Sequence, residues 1–320
     1  MIPSPPCDLK SSLRMDLASI FGNRLRENEP LARFTASRIG GAADVFAEAR
    51  SAKELEQAFR YCWREGIPCT ILGGGSNVLI SDRGVRGLVI LNRARKVRFL
   101  DNEQPVKVIA ESGANLGLIA RYAAKRGLSG LEWAAGIPGT LGGAVIGNAG
   151  AHGSDMSMNL ILAEILHRFD IELDSSPFLE EWPVEKLEYS YRQSTLNRHP
   201  GEFVVLNAVL KLEQSDIGTV QLKIEEFTAY RRRTQPSGAS MGSMFKNPKG
   251  DHAGRLIEAA GLKGICIGDA QISPVHANFF LNLGRAKAQD IFDLIQMAKT
   301  EVREKFSVDL QLEIELVGQW

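Results

Sequence analysis

Residues 72–80 read Leu72-Gly73-Gly74-Gly75-Ser76-Asn77-Val78-Leu79-Ile80, and the alternation of apolar and glycine residues here decides how the chain is read. Thr70-Ile71-Leu72 has the character of a short buried strand, Gly73 to Asn77 form a tight loop, and Val78-Leu79-Ile80 make another strand. The order is strand, glycine loop, strand. Just upstream, Ser51-Ala52-Lys53-Glu54 has the capping-box pattern, and Leu55, Ala58, Phe59, Cys62 and Trp63 recur at helical spacing until Gly66 and Pro68. An amphipathic helix therefore leads into the strand that carries the loop.

A glycine-rich turn lets backbone N–H groups converge on phosphate oxygens without side-chain interference. Taken alone, this loop is as readily a simple hairpin turn. Two common nucleotide sites are disfavoured: neither G-x-G-x-x-G nor G-x-x-x-x-G-K-[ST] occurs, and the loop leads into a strand instead of a helix. A second stretch shifts the balance toward a ligand. Gly136-Ile137-Pro138-Gly139-Thr140-Leu141-Gly142-Gly143-Ala144-Val145-Ile146-Gly147-Asn148-Ala149-Gly150 carries too many glycines for a regular helix interior and is expected to be a specialised loop system.

The chain has 320 residues, 44% hydrophobic and 24% charged, which favours two or three domains over one core. Lys plus Arg and Asp plus Glu each total 38, so no net field draws it to nucleic acid or an anionic membrane, and a polyanionic ligand must be met by local groups. Cys7, Cys62, Cys69 and Cys266 show no C-x-x-C spacing, and the five histidines form no i, i+4 pair. Reduced thiols in a cytoplasmic setting are expected, with no metal site. Met1 to Lys10 contains three prolines and lacks the basic and apolar regions of a secretory signal.

Further along, Leu116 to Lys125 reads as a helix with Gly127 available to end it, and Val204 to Leu212 as a strand. The polar stretch Glu213 to Gly218 is the expected domain boundary. Beyond it lie helices at Ala253 to Ala260 and about Ala288 to Lys305, then a last strand, Leu310 to Val317. In that strand Leu310, Leu312, Ile314 and Leu316 alternate with Gln311, Glu313 and Glu315.

Four further stretches, Arg38-Ile39-Gly40-Gly41, Tyr191-Arg192-Gln193-Ser194, Gly242-Ser243-Met244-Phe245-Lys246-Asn247-Pro248 and Leu312-Glu313-Ile314-Glu315-Leu316-Val317-Gly318, accompany the two glycine loops. Together, and in this order, they resemble the motifs of the UDP-N-acetylenolpyruvoylglucosamine reductase (MurB) family. The resemblance runs from about Arg33 to Gly318. It implies an α+β chain: a flavin domain of the vanillyl-alcohol-oxidase (PCMH) type at 21–213, in two subdomains split near 95–105, and a smaller α/β substrate domain at 214–320. The final strand would return toward the flavin, and residues 1–20 would be a loose N-terminus.

The resemblance also implies FAD as cofactor, NADPH as hydride donor and UDP-N-acetylglucosamine enolpyruvate as substrate, in peptidoglycan precursor synthesis. FAD is expected to be noncovalent, since Gly73 to Asn77 contain neither His nor Cys. Residues matching the family's cofactor contacts are Leu72, Gly73, Gly74, Gly75, Ser76, Asn77, Gly136, Ile137, Pro138, Gly139, Thr140, Gly142, Gly143, Ala144, Asn148 and Gly150; those matching substrate contacts are Lys246 and Asn247. Three matches carry the chemistry. Ser243 would be the proton donor, Glu313 an acid beside the developing enol, and Arg192 the cation at the substrate carboxylate. Gly147, His152, Gln193 and Gln311 depart from the usual family residues. The short span from Arg192 to Ser243 implies the branch without an inserted tyrosine loop, and a monomer is expected, with neither nucleic acid nor membrane as partner.

Glycine loops report FAD, not the substrate, so an oxidase or dehydrogenase on the same scaffold is the nearest rival. The trio Arg192, Ser243 and Glu313 separates the two. A non-catalytic nucleotide-sugar-binding relative could keep every loop, and turnover separates it.

Overall fold

The computed structural model describes residues 11–168 and 177–320. Its chain forms two compact units: one from the described residues up to Glu27 with Val45–Gly74 and Gly87–Ala229, the other from Asn28–Asp44, Gly75–Arg86 and Tyr230–Trp320. Helices and strands are mixed in both, as an α+β chain requires.

In the first unit the helix Ala52–Arg64 forms where its apolar spacing places it. Ser51 is extended and its hydroxyl accepts the Glu54 N–H at 3.2 Å, while Leu55, Ala58, Phe59 and Cys62 are buried. The reciprocal half of the expected capping box is rerouted: the Glu54 carboxylate accepts the Arg50 N–H at 2.8 Å and a two-pronged bond from Arg24 at 2.6 and 3.0 Å. Gly66, at φ +66°, ends the segment. The strand Cys69–Leu72 then runs parallel to Val85–Asn92, with Cys69 opposite Leu88 and Leu72 opposite Leu91. They belong to a four-stranded sheet ordered Arg26–Pro30, Ala42–Ala49, Val85–Asn92, Cys69–Leu72.

A second, antiparallel sheet in this unit is ordered Phe178–Pro183, Leu160–His167, Phe203–Gln214, Val106–Glu111, Val97–Leu100. Val108, Ala208 and Leu210 from this sheet share a buried cluster with Ile119 and Ala120 of the helix Leu116–Ala124 and with Leu141 and Val145. The chain passes from the first sheet to the second between Asn92 and Val97.

The second unit holds an antiparallel sheet ordered Ala239–Ser243, Phe279–Asn282, Ala270–Ile272, Cys266–Ile267. Against it pack the helices Ala253–Ala259 and Ala288–Phe306, the latter burying Ile291, Leu294, Ile295, Ala298 and Val302 along one stripe. Asp82 fixes the start of the long helix by accepting the N–H groups of Ala288 and Gln289 at 2.9 and 3.0 Å. Val78–Ile80 pairs in parallel with Glu315–Val317.

Several expectations are corrected. Residues 1–10 of the expected loose N-terminus lie outside the described residues, but Ser11–Phe21 is a helix whose Leu17 and Phe21 join the cluster of Leu55 and Phe59. The second glycine stretch does contain a helix, Leu141–Gly147, in which Gly142 is required because it passes close to Ser112. The strand Phe203–Gln214 and the helix Ile217–Thr234 meet within the stretch read as a boundary, and the division between units falls later, inside that helix at Ala229. Its single fully buried residue is Val220, so it has little apolar periodicity to read. The last strand is regular only over Glu315–Val317, for a reason that belongs to the site.

Candidate active site

The glycines of the first loop are required by the protein atoms that crowd them. In the first unit, a Cβ on Gly73 would lie 2.6 Å from the Thr140 hydroxyl oxygen, and one on Gly74 would lie 3.0 Å from Gly139 Cα. The two glycine loops therefore touch each other. Gly142 is held likewise: its N–H donates to Ser112 O at 2.8 Å, and a Cβ there would sit 2.9 Å from Ser112 Cβ. Crowding by protein, not by a ligand, explains these three positions. Gly143 differs, because a Cβ there would meet nothing nearer than Thr140 Oγ1 at 3.7 Å. Among the described residues, the Gly73 and Gly74 N–H groups donate to no protein acceptor. A smooth backbone with an open side and unclaimed donors suits the diphosphate of a dinucleotide cofactor.

Also in the first unit, residues 189–194 supply donors to the carbonyls that the helix Leu141–Gly147 and the turn after it leave unpaired. Tyr189 Oη donates to Val145 O at 2.7 Å, and Ser194 Oγ to Ile146 O at 2.6 Å. Arg192 Nη2 donates to Gly150 O at 2.9 Å. Arg192 stands at φ +57° in the turn closed by the Ser190–Gln193 bridge, a conformation costly for a residue with a Cβ. Asn148, itself left-handed at φ +43°, donates to Ser190 O at 3.1 Å. Arg192 and the second glycine loop are thus one hydrogen-bonded assembly. His152, a departure from the family pattern, stacks flat on Phe227 at 4.0 Å between ring centroids.

Ser243 and Glu313 lie in the second unit, on segments that run side by side. The register of Ala239–Ser243 against Phe279–Asn282 slips between Ser240 and Ser243, and Gly242 takes φ +78°. This bulge leaves Met241 and Gly242 without ladder partners and resumes the pairing at Ser243, opposite Phe279. Asn278, 3% exposed, then grips the next two residues: its O accepts the Met244 N–H at 2.7 Å, its Oδ1 the Phe245 N–H at 2.9 Å, and its Nδ2 donates to Phe245 O at 2.8 Å. Among the described residues, the Ser243 hydroxyl has no protein partner. It is held by its backbone, with its proton uncommitted.

The C-terminal segment changes partners at Glu313. Leu312 bridges Phe245, the Glu313 N–H donates to Met244 O at 2.9 Å, and two residues on, the Glu315 N–H donates to Asn77 O at 2.9 Å. The expected strand breaks at this handover, although Leu310 and Ile314 stay buried as the alternation requires. The Glu313 carbonyl accepts from Asn77 Nδ2 at 3.0 Å, which ties the first loop's last residue to the same place. Lys246 donates its N–H to Gln311 O at 2.8 Å, and Asn247 Oδ1 caps the next helix by accepting the Ala253 N–H at 3.1 Å. Burial pushes the Glu315 carboxyl above its ordinary range even though the residue keeps contact with solvent.

The second unit thus gathers Gly75, Ser76, Asn77, Ser243, Lys246, Asn247 and Glu313, while Leu72, Gly73, Gly74, Arg192 and the whole second glycine stretch belong to the first. Asn278 escaped the sequence reading. A lone asparagine gives no local sign of partners 33 residues away.

Comparison with known proteins places this arrangement. Residues 43–166 match the family model described as FAD binding domain, so the first loop and the second glycine stretch both fall in the class of FAD-binding proteins. Residues 235–317 match the model for the UDP-N-acetylenolpyruvoylglucosamine reductase C-terminal domain. The UDP-N-acetylenolpyruvoylglucosamine reductase of Chloroflexus aggregans is 41% identical over 296 residues, covering 92% of this chain and 97% of that protein. That of Bacillus subtilis is 43% identical over 294 residues, covering 91% and 93%. The crystal structure of the Thermus caldophilus reductase superposes with a TM-score of 0.74 at 33% identity, covering 92% of this chain and 98% of that one. The chain belongs to the UDP-N-acetylenolpyruvoylglucosamine reductase family.

Proposed function

We propose that this protein reduces UDP-N-acetylglucosamine enolpyruvate to UDP-N-acetylmuramate at the expense of NADPH, through noncovalently bound FAD. The Leu72–Asn77 loop with Gly136, Ile137, Pro138, Gly139, Thr140, Gly142, Gly143, Ala144, Asn148 and Gly150 would hold that cofactor. When bound, FAD supplies the two-electron chemistry that links NADPH to the terminal vinyl carbon. The chain's own residues must then hold the substrate carboxylate, stabilise charge and move a proton. Arg192 presents a planar guanidinium to the carboxylate, where negative charge grows as the double bond is reduced. Glu313 hydrogen-bonds the developing enol. Ser243 protonates the adjacent carbon, and Lys246, three residues on, stabilises the alkoxide left behind, since a serine hydroxyl is a very weak acid. Lys246 and Asn247 contribute to holding the substrate, Asn247 through the part of its amide that does not cap the helix.

One observation carries this reading: the Glu313 N–H bond to Met244 O sets the acid beside the residue that follows Ser243, inside the stretch matched by the reductase model. The unpartnered Ser243 hydroxyl supports it. The balanced charge, and the fact that among the described residues no helix is long and apolar enough to cross a membrane, support a cytoplasmic protein without nucleic-acid or membrane partners. We read it as a monomer of the branch without the tyrosine loop.

The test is product analysis. Purified protein should consume NADPH only when the enolpyruvyl sugar is present and convert that sugar to UDP-N-acetylmuramate. Oxygen-dependent oxidation of an alcohol or hydroxy acid, with no NADPH requirement, would instead establish the rival oxidase reading.

A further inference from the structure

Arg38 belongs to a family-like motif that the proposed chemistry does not use. It projects from a turn whose alternate residues are buried: Thr35 is 7% exposed, Ser37 0% and Ile39 2%. The turn is tightly bonded, since Thr35 Oγ1 donates to Ile39 O at 2.9 Å and accepts the Ile39 N–H at 3.1 Å. Asn282 Nδ2 donates to Ser37 O at 2.9 Å, and its Oδ1 accepts the N–H groups of Gly284 and Ala286 at 2.8 and 3.0 Å. One buried amide therefore fixes both the arginine's turn and the loop facing it. Arg38 sits at φ +58°, where a side chain with a Cβ is disfavoured. Among the described residues its guanidinium has no protein acceptor. A strained position that presents an unpaired cation is a feature of ligand clamps.

Arg38 faces a groove of about 470 Å³ in the second unit, lined also by Gly238, Ala239, Asn282, Leu283 and Gly284. No carboxylate lines it. Leu283, 57% exposed, offers an apolar flank beside the cation. The Ala36 N–H donates to Gly75 O at 2.9 Å, so the groove's turn is bonded to the first glycine loop. From this geometry we infer that the Arg38 groove is a binding site for the phosphate oxygens of a nucleotide, with Arg38 as its cationic ligand and Leu283 as an apolar rest for the attached nucleoside. This inference rests on the proposed reductase function for the identity of the nucleotides, which are FAD, the UDP-sugar and NADPH.

The experiment compares wild type with Arg38→Asn and Arg38→Lys. Asparagine tolerates the left-handed conformation, so it relieves the backbone while removing the cation. Apoprotein is titrated with FAD by fluorescence quenching, and reconstituted protein is titrated anaerobically with NADPH and, separately, with the enolpyruvyl sugar. Thermal unfolding of each apoprotein is followed alongside. R38N should melt no lower than wild type, yet bind at least one of the three ligands about 10- to 100-fold more weakly, the loss of one charge-assisted hydrogen bond. R38K should lie between. The ligand whose affinity falls identifies the source of the phosphate. R38N protein that binds all three within about twofold of wild type, or that melts below wild type, would overturn the site. Failure of the wild type itself to react with NADPH or with the sugar would instead count against the proposed function.

Discussion

At the level of single residues, Ser243 is set apart by where its backbone is pinned. A register slip with Gly242 at φ +78° precedes it, it pairs with Phe279 where the ladder resumes, Asn278 fixes the two residues that follow, and among the described residues its own hydroxyl is left without a protein partner. Removing that hydroxyl should therefore leave the fold alone. Ser243→Ala should retain flavin reduction by NADPH and wild-type thermal stability, but slow reoxidation by the enolpyruvyl sugar about 10²- to 10⁴-fold. Ser243→Cys, still able to donate a proton, should recover part of the rate. Rapid-mixing spectroscopy separates the two steps; an Ala variant that reoxidises at the wild-type rate would return Ser243 to a purely structural role. The sequence identified Ser243, Glu313 and Arg192 only through their motifs. Local propensity gives no sign of a bulge, and the two carboxylates Glu313 and Glu315 alternate identically until the segment's change of partner distinguishes them.

Among the elements, the helix Ala52–Arg64 was legible because its stripe is continuous and its ends are marked, and Ala288–Phe306 for the same reason. The Glu54 carboxylate shows what the sequence could not give. Burial raises its pKa, but the hydrogen bonds from Arg24 and the Arg50 N–H outweigh this and hold it below the usual carboxylate value. A depressed folded-state pKa means stability that is present above the unfolded value and is lost as pH falls through the folded one. Glu54→Gln should accordingly cost about 1–2 kcal/mol at neutral pH, with the deficit shrinking in acid; a deficit independent of pH would argue against the ion pair. The helix Leu141–Gly147 was misread because its glycines serve packing at one position and openness at the next. Gly142→Ala should lower apoprotein stability through its clash with Ser112. Gly143→Ala should keep apoprotein stability, since alanine favours helix and meets only Thr140 Oγ1 at 3.7 Å, yet weaken FAD retention measured by reconstitution. Normal FAD affinity in the Gly143 variant would remove that position from the cofactor cradle.

For the whole molecule, motif order along the chain was more informative than any single element. The glycine loops, Arg192, Ser243 and Glu313 were each placed by the sequence within a family pattern, and identities of 41–43% with reductases confirm the family. The division of the chain was less legible. Asn28–Asp44 and Gly75–Arg86 join the C-terminal residues through pairings such as Val78–Ile80 with Glu315–Val317, contacts between segments over 200 residues apart that leave no local trace. The proposed function requires the molecule to carry electrons from NADPH to an enolpyruvyl sugar in two separable steps. The most direct measurement is the visible spectrum of the purified holoprotein without oxygen. NADPH should bleach the flavin absorbance, and the enolpyruvyl sugar, added after excess NADPH is removed, should restore it with one equivalent of UDP-N-acetylmuramate formed per flavin. A flavin that NADPH does not bleach, or that stays bleached when the sugar is added, would contradict the account.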